Sequence, residues 1–274
     1  MRTVARPPRP CESQRGNVSM PATEPSRAPV RPRRELPGAL GLVPPTAAVE
    51  VRWAVPGPMQ AGAIAALGDV RDADARRMYD LDTPAAGLER HGVAVRLRRG
   101  GAGGDETAVA VRPVLLGALG PEIAGAPGFV VAVDASGGGW VCSGSLTART
   151  APGRVVDVLH GHRPASHVLT AAQRAFLSAH APAGTALDDL AVSGPVLSLM
   201  LAFAPRAHDR EVRADVSLHP DGRRTMDVSV RCTPATAAEV AARTAALLAT
   251  APLTEPPAAR ARRPPPDPAA PRPR

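Results

Sequence analysis

Apolar and polar positions alternate with a period of two over much of residues 49–232, the pattern of strands with one buried face. Val49–Val55 sets Val51, Trp53 and Val55 against Glu50, Arg52 and Ala54. Val93–Arg99 sets Val93, Val95 and Leu97 against Arg96 and Arg98. Further strands are expected at Thr107–Arg112, Phe129–Asp134, Trp140–Leu146, Val196–Phe203, Glu211–His219 and Thr225–Cys232. Two hairpin turns punctuate them, Ala135 to Gly139 and Pro220-Asp221-Gly222. Eight such strands are enough to close a barrel. The fold expected is therefore α+β, an eight-stranded antiparallel β-barrel with flanking helices.

The helices have their own signals. Pro84 suits the first turn of a short helix, Ala85 to His91, that Gly92 ends. A second helical stretch is expected near Pro58–Leu67. Thr170 and Gln173 form a capping-box pattern before Ala171–His180. Thr233 as cap and Pro234 at the first position open an Ala-rich helix to about Ala249.

Composition changes this picture at the two ends. All 33 basic residues of the 274-residue chain are arginine, and the net charge is +8. Residues 1–47 carry eight Arg against Glu12, Glu24 and Glu35, and residues 252–274 carry five against Glu255 and Asp267. The excess lies entirely there, and residues 48–251 are neutral overall. Both ends are rich in Pro and poor in large apolar residues, so they are expected to be disordered tails around one domain, 48–251. A neutral domain argues against nucleic acid as its partner. The tails are suited to an acidic partner, or are solvated segments shaped by codon bias. No run reaches the ~20 apolar residues of a membrane span, and no apolar signal-peptide core opens the chain, so a cytoplasmic protein is expected. Cys11, Cys142 and Cys232 have neither metal nor redox spacing.

The most specific run is Tyr79…Asp82-Thr83-Pro84…Leu88…Gly92-Val93-Ala94-Val95-Arg96-Leu97-Arg98. It sets two arginines on one strand face, a row whose natural partners are phosphates or carboxylates. This run resembles the CYTH domain of the triphosphate tunnel metalloenzymes, which include class IV adenylate cyclases, thiamine triphosphatases and inorganic triphosphatases. The resemblance extends more weakly from about Val49 to Thr250. It implies a barrel whose polar faces line a tunnel, with Arg52, Arg96, Arg98, Arg112 and Arg231 binding phosphate. It implies metal binding by Glu50, Asp134, Asp215 and Asp227, the ion being Mg²⁺ or Mn²⁺. Ser217, His219 and Ser229 fall on the same faces.

The pattern is also broken. The opening strand of CYTH enzymes reads Glu-x-Glu-x-Lys, where this chain has Glu50, Arg52 and Ala54. Ala110, Val130 and Ala132 stand where lysines and an acid are usual. The expectation is a protein that binds a triphosphate, polyphosphate or nucleotide with catalysis weak or lost. The alternatives are an active metal-dependent triphosphatase or cyclase, and a non-enzymatic scaffold that works through its tails. His160, His162 and His167 read as an exposed loop rather than a metal site, and Asp188-Asp189 as a loop tie.

Overall fold

The computed structural model describes residues 31–32, 40–45, 47–135 and 139–251. Most of the expected tails, and the tip of the turn after Asp134, lie outside these residues. Leu40 and Val43 are buried in the same core as residues beyond 48.

Among the described residues ten strands form in chain order: β1 Arg31–Pro32, β2 Ala48–Ala54, β3 Val70–Asp82, β4 Val93–Arg99, β5 Glu106–Val111, β6 Phe129–Asp134, β7 Gly139–Arg149, β8 Ala191–Phe203, β9 Val212–Leu218 and β10 Arg224–Cys232. Nine of them close into a ring in the order β7, β5, β4, β3, β8, β9, β10, β2, β6 and back to β7. β1 adds a two-residue pairing on β7. The expected barrel is thus present, with nine strands rather than eight.

The additional strand is β3, which pairs with both β4 and β8. An odd ring cannot alternate direction at every step, so one neighbouring pair must run parallel. That seam is β2 with β6, where Glu50 lies beside Ala132 and Arg52 beside Asp134. The wholly antiparallel expectation is corrected to a mixed barrel for this reason.

The apolar side of the wall faces outward onto helices. Val49, Val51, Val95, Leu97, Val109, Val131, Val228 and Val230 are each at most 1% exposed. Helix Ala171–His180 packs against β5. Its capping box is formed as expected, with Gln173 N–H donating to Thr170 Oγ1 at 3.2 Å and Gln173 Oε1 accepting from Thr170 N at 3.0 Å. Gln173 is also fully buried: its Nε2 donates to the carbonyls of Thr107 and Leu146, and Thr107 Oγ1 donates to its Oε1. One side chain both starts the helix and ties it to two strands.

A 3₁₀ turn at Pro234–Thr236 leads into helix Ala237–Ala249, which covers β2 and β10 and touches helix Gln60–Leu67. The short helix forms at Gly87–Arg90. Gly92 follows it at φ 72°, and a Cβ there would collide with the Arg112 carbonyl. Only glycine suits both the left-handed backbone and this close approach. No helix among the described residues is long and apolar enough to cross a membrane.

The β3–β8–β9 side is less covered. Leu197, Leu199 and Leu218 are 40–49% exposed there. The helices lie over the opposite arcs of the ring.

Candidate functional site

Asp82-Thr83-Pro84 is a structural device. Asp82 accepts hydrogen bonds from the backbone N–H groups of Thr83 (2.6 Å), Leu88 (2.8 Å) and Glu89 (3.0 Å). Thr83 Oγ1 accepts from Gly87 N–H at 2.7 Å. These bonds fix the turn between β3 and β4, and so set the register that carries Arg96 and Arg98.

Register places these arginines on the inner face. Arg96 lies opposite Asp80 on β3 and Ala108 on β5, and Arg98 opposite Met78 and Glu106. Arg96 Nε donates to Asp80 Oδ1 at 2.9 Å, both side chains being about half exposed. Arg98 is different. Half-buried, it makes no hydrogen bond or ion pair among the described residues. Burial and then the Arg96 charge lower its pKa; Glu106 and Asp215 act the other way, and Arg52 adds to the lowering. Groups from β2, β4, β5 and β9 therefore act on one guanidinium inside one lumen.

The four carboxylates expected to hold metal behave differently from one another. Glu50 Oε1 accepts from Arg52 Nε at 2.8 Å, and Arg231 Nε lies 3.7 Å from Glu50 Oε2. Burial would raise the Glu50 pKa, but Arg52, Arg231 and a hydrogen bond from Ser229 outweigh it and hold the carboxyl below its usual range. Asp134 Oδ2 accepts from Arg112 Nη2 at 2.6 Å. Asp215 Oδ1 accepts from Ser198 Oγ at 2.6 Å, and Asp227 faces Asp215 directly across β9–β10. Asp227 is open to the water of the lumen, yet partial dehydration raises its pKa. Arg52 opposes that rise, Asp215 and Asp134 reinforce it, and Arg96 opposes it.

Asp215 and Asp227 are thus the pair suited to a hard divalent cation. Glu50 and Asp134 are engaged by arginines. Among the described residues no group of three or more His, Cys, Asp and Glu side chains is arranged to hold a metal ion.

One inner-face cluster falls outside the expected set. Arg76 on β3 donates to Asp74 Oδ2 at 2.6 Å and Glu106 Oε2 at 2.9 Å, and Asp74 Oδ1 also accepts from Ala102 N–H. Ser198, bound to Asp215, was also missed. The signal was present in the alternation Asp72-Ala73-Asp74-Ala75-Arg76, legible once that segment is taken as a strand.

His219 belongs to the hairpin turn, with Nε2 3.3 Å from Thr225 Oγ1 and Nδ1 3.1 Å from Arg223 Nη2. Ser166 Oγ donates to Asp188, which ties the loop as expected. His160 and His162 meet edge to face. Cys142 is half-buried and Cys232 buried.

Neither a protein-family sequence profile nor a curated protein sequence matches the chain. Solved structures do. A candidate adenylate cyclase from Bacillus halodurans superposes with a TM-score of 0.51 at 14% identity, over 77% of this chain and 92% of that one. A candidate adenylyl cyclase from Hippeastrum, with a dominant triphosphatase activity, gives 0.46 at 14% identity over 68% and 79%. At such identities the likeness is one of fold, and the first superposition carries it: the barrel is of the CYTH, or triphosphate-tunnel, type.

Proposed function

We propose that the lumen binds a triphosphate, polyphosphate or nucleotide through Arg52, Arg96, Arg98, Arg112 and Arg231, with catalysis weak or lost. The observation that carries this reading is Arg98, a half-buried guanidinium with no ion pair among the described residues. An unpaired cation inside a protein is unfavourable unless a ligand completes it. A bidentate phosphate oxygen pair supplies what Arg98 lacks.

The loss of catalysis is supported by Arg52. Its guanidinium holds Glu50 where the resemblance implies a metal ligand, leaving Asp215 and Asp227 for a single Mg²⁺ or Mn²⁺. When bound, that ion would neutralise phosphate charge. A cytoplasmic setting, and an acidic partner for the arginine-rich ends, belong to the same proposal.

Calorimetric titration of the full chain with tripolyphosphate, with and without Mg²⁺, tests it. Micromolar binding that is lost in Arg96→Ala/Arg98→Ala is the expected result; no heat at low salt overturns the proposal. The second reading, an active metal-dependent triphosphatase, is favoured by the unpaired Asp215–Asp227 pair. Phosphate release above that of an Asp215→Ala/Asp227→Ala control would establish it.

A further inference from the structure

We infer that the mouth of the tunnel where β9 begins and β10 ends carries a further anion subsite. Arg210, Arg213 and Arg231 form it, and it fits the lumen for linear inorganic polyphosphates longer than three phosphates. The inference rests on the anion-binding reading above and adds to it a substrate class and a direction.

A cavity of about 270 Å³ at this mouth is lined by Arg210, Glu211, Arg213, Ser229 and Arg231. Three guanidinium groups there face one carboxylate. Arg213 Nε donates to Glu211 at 2.6 Å, and Arg231 is 3.7 Å from Glu50. Arg210 has no ion pair among the described residues. The subsite is continuous with the lumen: Arg213 lies opposite Ser229, and Ser229 opposite Arg52.

The loop that carries Arg210 is anchored. Its backbone N–H donates to His208 Nδ1 at 3.3 Å, and the fully buried His208 ring reaches Thr244 Oγ1 through Nε2 at 3.2 Å. Arg210 is therefore held in place by helix Ala237–Ala249 beneath it.

The opposite mouth has the opposite character. Its cavity of about 370 Å³ presents Asp80, Asp82 and Glu89 against Arg96. Asp80 and Asp82 there are already engaged, by Arg96 and by backbone N–H groups, so a phosphate chain that outgrows Arg96 and Arg98 is drawn toward Arg213.

Nothing in the lumen favours a nucleobase. The chain has two Trp, one Tyr and three Phe. All six (Trp53, Tyr79, Phe129, Trp140, Phe176 and Phe203) belong to or pack against the outer core. Stacking on an aromatic ring is a principal source of base affinity, and this lumen has no such ring. An all-phosphate ligand needs only guanidinium groups in series.

The test compares tripolyphosphate, tetrapolyphosphate and ATP by calorimetry on the full chain at one fixed ionic strength, since salt screens these contacts. Tetrapolyphosphate should bind roughly tenfold tighter than tripolyphosphate, the effect of one added charge-assisted contact. Arg210→Ser/Arg213→Ser should erase that difference while tripolyphosphate affinity stays within about twofold. The control Arg154→Ser/Arg163→Ser removes the same charge from an exposed surface and should keep the difference.

Equal affinity for the two phosphates in the wild-type chain overturns the inference alone, as does a control pair that erases the difference equally, or ATP binding tighter than tetrapolyphosphate. Absence of binding by every phosphate overturns the anion-binding reading and this one with it. The wild-type ratio decides the matter even if the double variant fails to fold.

Discussion

Asp227 lies directly opposite Asp215 in the β9–β10 pair, and neither carboxylate has an arginine within ion-pair distance among the described residues. Like charges facing each other across a strand pair are destabilising; partial dehydration first, and the Asp215 charge after it, raise the Asp227 pKa. A raised folded pKa means that its stabilising contribution is complete below the unfolded value of 3.8 and is lost as pH rises through the folded one. Asp227→Asn should therefore raise Tm at pH 7 by roughly 1–2 °C in metal-free buffer. Mg²⁺ should raise the wild-type Tm and leave that of Asp227→Asn unchanged. Thermal melts with and without EDTA check both.

Arg98 should separate binding from stability. Arg98→Met keeps the length of the side chain and removes the dehydrated cation, so Tm without ligand should hold or rise. Tripolyphosphate affinity should fall by about tenfold or more. Arg112→Met, whose partner Asp134 would lose its bond, should lower both. Paired melts and titrations of the two variants distinguish an anion-seeking arginine from a pairing one.

His208 should make the fold acid-sensitive. Thr244 Oγ1 donates to the Val240 carbonyl, so it accepts from His208 Nε2–H, and Nδ1 must accept from Arg210 N–H. Only the neutral ring satisfies both. Burial, the largest influence, lowers the His208 pKa, and it outweighs the nearby Asp209. A lowered folded pKa gives stability that is full above the ordinary value of 6.5 and is lost as pH falls toward the folded value. The drop in Tm between pH 7 and pH 5.5 should be smaller in His208→Gln than in the wild type.

Gln173 should matter more than any single cap. Gln173→Ala removes the N3 partner of Thr170 and leaves the buried Thr107 and Leu146 carbonyls without its donor. A loss of about 3 kcal/mol is expected from unsatisfied buried groups and the lost packing. Urea melts of the variant measure it.

Much of this architecture was legible because burial imposes a period. Val51/Trp53, Val93/Val95/Leu97 and Met226/Val228/Val230 declare their strands, since each packs on helices. β3 did not declare itself. Its first half reads Val-Arg-Asp-Ala-Asp-Ala-Arg-Arg, with Asp72, Asp74 and Arg76 on the inner face and Ala73, Ala75 and Arg77, rather than large apolar residues, on the outer one. Such residues have low strand propensity, and it is the cross-strand pairing with β8 that makes the strand.

The same gap hid Arg76 and its partners Asp74 and Glu106. Arg96 and Arg98 were readable as a pair from their spacing. That Arg96 has a carboxylate partner and Arg98 has none depends on Asp80 lying opposite the first, and on Arg76 engaging Glu106, the carboxylate opposite the second. Only register between distant segments can supply that distinction.

The β2–β6 seam has a consequence for how the chain is made. Among the described residues β2 is the first long strand in chain order, but its neighbours are β6, some 80 residues later, and β10, some 175 residues later. Until those arrive, its Val49, Val51 and Trp53 have nothing to bury against. Closure of the ring must then wait on the most distant contacts in the chain, which favours slow assembly and a demand for chaperoning. Moving β2 to follow β10 by circular permutation should hasten folding, because it turns the longest-range pairing into a local one.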